Sequence, residues 1–240
     1  MNKRKKYMAN IYSKYWQDAR YTKYGFQQYD QILCDLLLEN EYQSYFEVGI
    51  GNGYPIADFI SNKGKAVSGI DISPTLIEKC NNDFPNIRAT VGDAELINET
   101  NESFDVTYCF HSSWYFDNLT HCIEEMYRVT KKGGNVLLDL QNSIHPSTSV
   151  SIGKKLRIFA KQFITGLKQL LDKNTKFRDA FITYEKPTDI KYLNQYLSKQ
   201  GYSAIFLGLK DLSDPTKEVI DPDDQNELKN YIRIILTIMK

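Results

Sequence analysis

The sequence is short of several things, and each shortage closes a possibility. It lacks a charge of one sign: 30 lysines and arginines face 30 aspartates and glutamates, so the formal net charge is zero. Affinity for nucleic acid comes mainly from neutralising phosphates, which calls for a basic excess, so no nucleic-acid partner is expected. It has four cysteines, Cys34, Cys80, Cys109 and Cys122. None forms a CxxC pair and all sit in apolar-periodic stretches, which reads as reduced core thiols. Its three histidines, His111, His121 and His145, have no ligand spacing, so no metal is expected. No run of about 18 apolar residues occurs, which leaves no membrane-spanning helix. The basic start from Met1 to Lys6 leads into Tyr12, Tyr15 and Trp16 rather than into the apolar core of a signal peptide. A cytoplasmic location is the expectation.

What is present is an alternation of strands and helices. Residues 1–25 are polar, basic and rich in tyrosine, and a helical stripe of Phe26, Tyr29, Ile32, Leu33, Leu36 and Leu37 follows. Short apolar strands are expected at Tyr45–Val48, Ala66–Asp71, Ile87–Val91, Phe104–Phe110 and Asn135–Leu140. Helices should open at Tyr54-Pro55 and at Ser73-Pro74, and a third should carry Leu119, Cys122, Ile123 and Met126 and end at Gly133-Gly134. Such alternation implies βαβ units and a parallel sheet. Thr188 is expected to cap a last helix bearing Ile190, Leu193 and Leu197. Ala204–Leu207 and Tyr231–Met239 then suit an antiparallel pair at a sheet edge. The chain therefore reads as one α/β domain over residues 1–240, with a helical insertion at about 145–180.

The first strand runs into Phe46-Glu47-Val48-Gly49-Ile50-Gly51-Asn52-Gly53. Glycines between a strand and a helix let the backbone turn sharply and lie against a ligand. The dinucleotide pattern GxGxxG would need glycine at position 54, where Tyr54 stands, and no GK[ST] follows for a phosphate-cradling loop. Asp71 closes the second strand, where a carboxylate can accept both hydroxyls of a ribose. Asp93, in Gly92-Asp93-Ala94, closes the third, where it can accept from an adenine amino group. Three successive strand ends thus carry groups suited to one nucleoside.

On these residues, together with Phe104–His111 and Arg128–Gly134, the sequence resembles the class I S-adenosylmethionine-dependent methyltransferases. The likeness points to the small-molecule branch that includes ubiquinone-biosynthesis and deoxysugar enzymes. The resemblance implies a Rossmann-like, mostly parallel seven-stranded sheet with a reversed last strand, and S-adenosylmethionine as cofactor. It implies Glu47 near the methionine amino group, and Gly49, Gly51 and Gly53 along the methionine and ribose. Asp71 with Ile72 would lie at the ribose, Asp93 with the Ala94 amide at the adenine, and Phe110 beside them.

Methyl transfer from a sulfonium is an in-line displacement, so the protein must align the acceptor and take a proton when the acceptor is a hydroxyl. The residues for this should follow strands four and five. His111, Tyr115 and His145 are the candidate catalytic residues, with His111 the leading base because imidazole titrates near neutrality. Bonding to a loop carbonyl is the plain alternative for His111. Trp114, Gln141 and Asn142, with Tyr15 and Trp16 from an N-terminal lid, are candidate acceptor contacts. The [ND]PP[YF] signature of nucleic-acid amino methylation is absent after strand four. Between Ser151 and Arg178, eight basic residues face one acid, Asp172, beside an apolar stripe of Ile152, Leu156, Phe159, Phe163, Leu167 and Leu170. That segment reads as a lid helix, with peripheral contact to an anionic membrane as the second reading. The expected activity is O-methylation of a sugar or other metabolite. N-methylation of an amino sugar or other small amine, and a non-catalytic cofactor-binding partner protein, are the alternatives.

Overall fold

A computed structural model describes Lys5, Ala9 and residues 25–148, 185–214 and 216–240. The N-terminal lid aromatics and the basic helix expected at 151–178 lie outside the described residues, as do the candidate acceptor contacts Tyr15 and Trp16.

Among the described residues, eight strands form one sheet in the order β3-β2-β1-β4-β5-β8-β6-β7. They are β1 (Ser44–Val48), β2 (Ala66–Asp71), β3 (Ile87–Val91), β4 (Phe104–Cys109), β5 (Thr130–Gln141), β6 (Ser203–Leu209), β7 (Glu218–Val219) and β8 (Arg233–Met239). The first five run parallel. β8 lies antiparallel between β5 and β6. The expected count of seven is one short, because β7 adds two edge residues pairing Leu207 with Val219 and Gly208 with Glu218. A two-residue strand has no apolar period of its own, so nothing in the sequence marks it.

Helices cover both faces, and the period-two alternation of the strands decides which side chains meet them. Tyr45, Val106, Tyr108 and Leu137 point to one face. There they pack on α1 (Gln28–Leu37), α2 (Ile56–Asn62) and α3 (Pro74–Asp83). Phe46, Val48, Val136, Leu138 and Leu140 point to the other, against α4 (Leu119–Val129) and α5 (Ile190–Lys199). A short α6 (Gln225–Leu228) precedes β8. Ser73 caps α3 as expected, accepting a hydrogen bond from the Leu76 N–H. All four cysteines are free and buried, and burial pushes their thiols up.

Three local expectations are corrected. Gly133-Gly134 does not end α4, which stops at Val129, and β5 begins at Thr130. The register of β5 against β4 shifts between Phe104 and Val106, and the glycines lie in that irregularity. A Cβ on Gly134 would collide with the Asp105 carbonyl, so the second glycine permits the close approach of β4. Thr188 is not the cap of α5; Asp189 is, accepting from the Tyr192 N–H at 3.0 Å. Pro55 stands at the cap of α2, not in its first turn.

Sequence order runs outward from β1 to β3 on one side and from β4 to β5 on the other. The order therefore reverses between β1 and β4, and crevices form outside the carboxyl ends of strands at such a point.

Candidate functional site

A cavity of about 800 Å³ opens at that reversal. One end is built by the first three strand ends. Gly49, at φ +82°, has no room for a Cβ, which would collide with Ser112 Oγ. The Gly49 and Ile50 N–H groups both donate to the Ile70 carbonyl, at 2.8 and 3.0 Å, which holds the loop against β2. Asp71 braces the loop from below. Its Oδ2 accepts from the Gly51 N–H at 3.0 Å and its Oδ1 from the Ser73 N–H at 2.8 Å. Burial raises the Asp71 pKa, and the hydrogen bonds from Ser73, Gly51 and Ile72 offset part of that rise.

Glu47, 5 % exposed, reaches the cavity with Oε2 accepting from the buried Tyr108 hydroxyl at 3.0 Å. Ile72, Ala94 and Phe110 also line the cavity. Gly53 does not. A Cβ there would stand 2.7 Å from Cys80 Sγ and 2.9 Å from a Phe84 ring carbon. The third glycine lets the loop pack on α3, and Asn52 and Tyr54 face the cavity in its place. Asn52 was not singled out in the sequence. Its Nδ2 is buried with no hydrogen-bond partner, a donor poised for a ligand oxygen.

Asp93 carries an unanticipated neighbour. Lys5 Nζ lies 2.8 and 2.7 Å from its two carboxylate oxygens and 3.1 Å from Glu95 Oε2. Burial opposes the Lys5 charge, but the two carboxylates outweigh it and leave its pKa above the ordinary lysine value. A carboxylate oxygen keeps further lone-pair capacity, so Asp93 can accept from an adenine amine alongside Lys5.

The other end of the cavity is assembled from distant elements. His111 follows β4 with φ +60°, a left-handed backbone uncommon outside glycine. Two carboxylates hold it there. Its backbone N–H donates to Asp139 Oδ1 at 2.9 Å, and its ring Nε2 lies 2.7 Å from Asp30 Oδ1. Its Nδ1 stands 3.8 Å from Asp139 Oδ2, beyond hydrogen-bond reach. Asp139 is fully buried in β5 and also accepts from the Tyr29 hydroxyl at 3.1 Å. Asp30, equally buried, sits in the first turn of α1 and accepts the Gln27 N–H at 2.8 Å. The partner of His111 is thus a carboxylate, not a loop carbonyl. Neither aspartate was anticipated, although an acid amid Leu137, Leu138 and Leu140 is itself a signal: a buried charge needs a partner.

Of the remaining candidates, Trp114, Tyr115 and Gln141 line the cavity. Tyr115 donates to Glu185 Oε1 at 3.4 Å. His145 and Asn142 do not line it. His145 Nδ1 closes a local turn with Ser147, 2.6 Å from its Oγ and accepting its N–H at 3.1 Å. Asn142 is fully buried and its Nδ2 donates to the Leu228 and Tyr231 carbonyls at 2.7 and 2.9 Å, fastening the β5 end to the segment before β8. The Asn142 amide and His145 Nδ1 are thus engaged locally, away from the cavity. Arg233, at the start of β8 opposite Gln141, lines the cavity with its guanidinium 4.2 Å from the centre of the Trp114 ring.

Comparison with known proteins places this geometry. Residues 46–138 match the model of a methyltransferase domain family. An uncharacterized methyltransferase of Schizosaccharomyces pombe is 29 % identical over 111 residues, 46 % of this chain and 44 % of the relative. The demethylmenaquinone methyltransferase of Chlorobaculum parvum is 31 % identical over 88 residues, 37 % of this chain and 36 % of the relative. The chain thus spans less than half the length of these relatives. Among solved structures, a methyltransferase of Thermotoga maritima described as a possible histamine N-methyltransferase superposes with a TM-score of 0.62. It is 16 % identical, with 98 % of this chain and 99 % of the other covered. Magnesium protoporphyrin IX methyltransferase from Synechocystis, solved with bound SAH, superposes at 0.60 with 11 % identity and 98 % of each chain covered. These two likenesses concern the fold. With the glycine loop after β1, the acid ends of β2 and β3, and the domain match over the same strands, residues 46–138 form a methyltransferase domain of the class I S-adenosylmethionine-dependent kind.

Proposed function

We propose that this protein methylates a hydroxyl of a small molecule, a sugar or other metabolite, with His111 as the general base. Bound at the glycine-loop end, S-adenosylmethionine supplies a methyl group already activated by its sulfonium. Glu47 and Asn52 hold the methionine portion in this reading, Asp71 the ribose hydroxyls, and Asp93 with the Ala94 N–H the adenine edge. The donor and acceptor inventory fits: two carboxylates face hydroxyls and an amine, and the orphaned Asn52 amide gains an oxygen.

The observation that carries the proposal is the clamp on His111. With Nε2–H donating to Asp30, the Nδ1 lone pair is left to take the acceptor proton, and Asp30 stabilises the imidazolium that forms. Asp30 and Asp139 are positioning residues here, holding ring and backbone respectively. Trp114, Tyr115 and Gln141 wall the acceptor. The residues from 1 to 240 act as one domain in this reading, with 145–180 inserted between core and C-terminal strands.

An assay with methyl-labelled S-adenosylmethionine against small molecules supplied in paired hydroxyl and amino forms tests it. Labelled hydroxyl products are expected. Label on amines alone moves the reaction to nitrogen. Tight S-adenosylhomocysteine binding without any labelled product makes the chain a cofactor-binding partner protein.

A further inference from the structure

Among the described residues, the acceptor end holds a guanidinium that no hydrogen bond or ion pair answers. Arg233 lines the cavity, its Nη1 is buried without a hydrogen-bond partner, and among the described residues it makes no ion pair. A buried guanidinium atom with no acceptor is costly, so such a group marks a missing partner. Among the described residues, none of the carboxylates lining the same cavity forms an ion pair with it. Asp30 holds His111 and the Gln27 N–H. Glu185 accepts from Tyr115, and Asp211 from the Ser213 N–H and hydroxyl, both at 2.8 Å. The guanidinium carbon lies 4.2 Å from the centre of the Trp114 ring, a cation–π contact that leaves hydrogen-bond donors to be answered by an acceptor.

We infer that Arg233 anchors a carboxylate of the methyl acceptor, so that the substrate class is a hydroxylated carboxylic acid. This rests on the methyl-transfer reading above. A guanidinium edge matches a planar carboxylate in two parallel hydrogen bonds. A monoanion suits the site better than a phosphate. The other lining lysine or arginine, Lys5, is committed to Asp93 and Glu95 at the nucleoside end, and Asp30, Glu185 and Asp211 would repel a second negative charge. β8 pairs with β5 so that Arg233 stands opposite Gln141, at the same sheet edge from which Asp139 holds His111. Charge anchor and base therefore face one acceptor.

The cofactor's own methionine portion also ends in a carboxylate, and the test separates the two sources. Wild-type protein, Arg233→Gln and Arg233→Lys are titrated with S-adenosylhomocysteine. Each is then saturated with it and exposed to hydroxylated carboxylic acids, to the matching carboxamides, and to inorganic phosphate. Carboxylates should bind the wild type while their amides do not. Arg233→Gln should weaken them by about 10–100-fold, Arg233→Lys by less, with S-adenosylhomocysteine affinity unchanged in both. Loss of S-adenosylhomocysteine affinity in Arg233→Gln would assign the arginine to the cofactor and overturn the inference. So would equal binding of amides, binding of phosphate alone, or a panel in which no carboxylate binds. Failure of the wild type to bind S-adenosylhomocysteine at all would instead sink the methyl-transfer reading.

Discussion

The two ends of the cavity are made in opposite ways. At the end proposed for the nucleoside, Glu47, the glycine loop, Asp71 and Asp93 close three neighbouring parallel strands, and backbone N–H groups set much of the geometry. At the end proposed for the acceptor, side chains from α1, the β4 loop, β5 and β8 converge, and Asp30 meets His111 across 81 residues of sequence. A nucleoside site of the first kind can be kept while the second is rebuilt, because few contacts are shared between them. The shared wall is thin: Ser112 packs against Gly49, and its hydroxyl donates to the Val48 carbonyl at 3.2 Å.

If that division is real, variants at one end should leave the other alone. The largest effect belongs to His111→Ala, which should lower turnover by about 10²–10⁴-fold while leaving S-adenosylhomocysteine affinity nearly unchanged. Asp30→Asn should act in the same direction but by less, since it leaves the imidazole in place and removes one charge-assisted bond. Calorimetric titration beside steady-state kinetics reads both. Near-full turnover in His111→Ala would demote the clamp to architecture and favour an amine acceptor, which can shed its proton to solvent.

Next comes Asp71→Ala, expected to weaken S-adenosylmethionine binding by about 1.5–3 kcal/mol through loss of a charged acceptor. The wild-type affinity should also depend on pH. Burial raises the Asp71 pKa above the ordinary aspartate value, so the charged acceptor is present above that raised pKa and is lost as pH falls through it. Affinity should therefore begin to drop at a less acidic pH than an unperturbed aspartate would dictate. Calorimetry across an acid series, with Asp71→Asn as the flat control, decides whether Asp71 carries the dependence.

The smallest effect sharpens the boundary within the glycine loop itself. Gly53→Ala should cost about 1–3 kcal/mol of stability, because φ is +85° and the new Cβ meets Cys80 and Phe84. Cofactor affinity in the folded fraction should hardly change, since Gly53 faces α3 and not the cavity. A thermal melt with and without saturating S-adenosylhomocysteine separates the two. A variant of wild-type stability that binds poorly would return Gly53 to the ligand side.

The nucleoside end was legible in the linear sequence because a parallel βαβ unit places each strand's carboxyl end at one edge. Gly49, Asp71 and Asp93 needed only the period of the strands to be brought into line. The same logic located β1 to β5 within a few residues, with β5 beginning earlier than expected. What failed there failed for want of a packing partner: Gly53 looks like a ligand glycine until α3 is placed behind it, and Gly134 looks like a helix stop until Asp105 is placed beside it. Of the residues lining the proposed acceptor end, the sequence marked only His111, Trp114, Tyr115 and Gln141, which follow strands four and five. His145 and Asn142 hold the same positions in the chain, yet their side chains turn to Ser147 and to the Leu228 and Tyr231 carbonyls. Asp30, Asp139 and Arg233 come to this end of the cavity because a helix and an antiparallel strand dock on the sheet there. Docking of that kind is set by core packing at long range, which no local periodicity records.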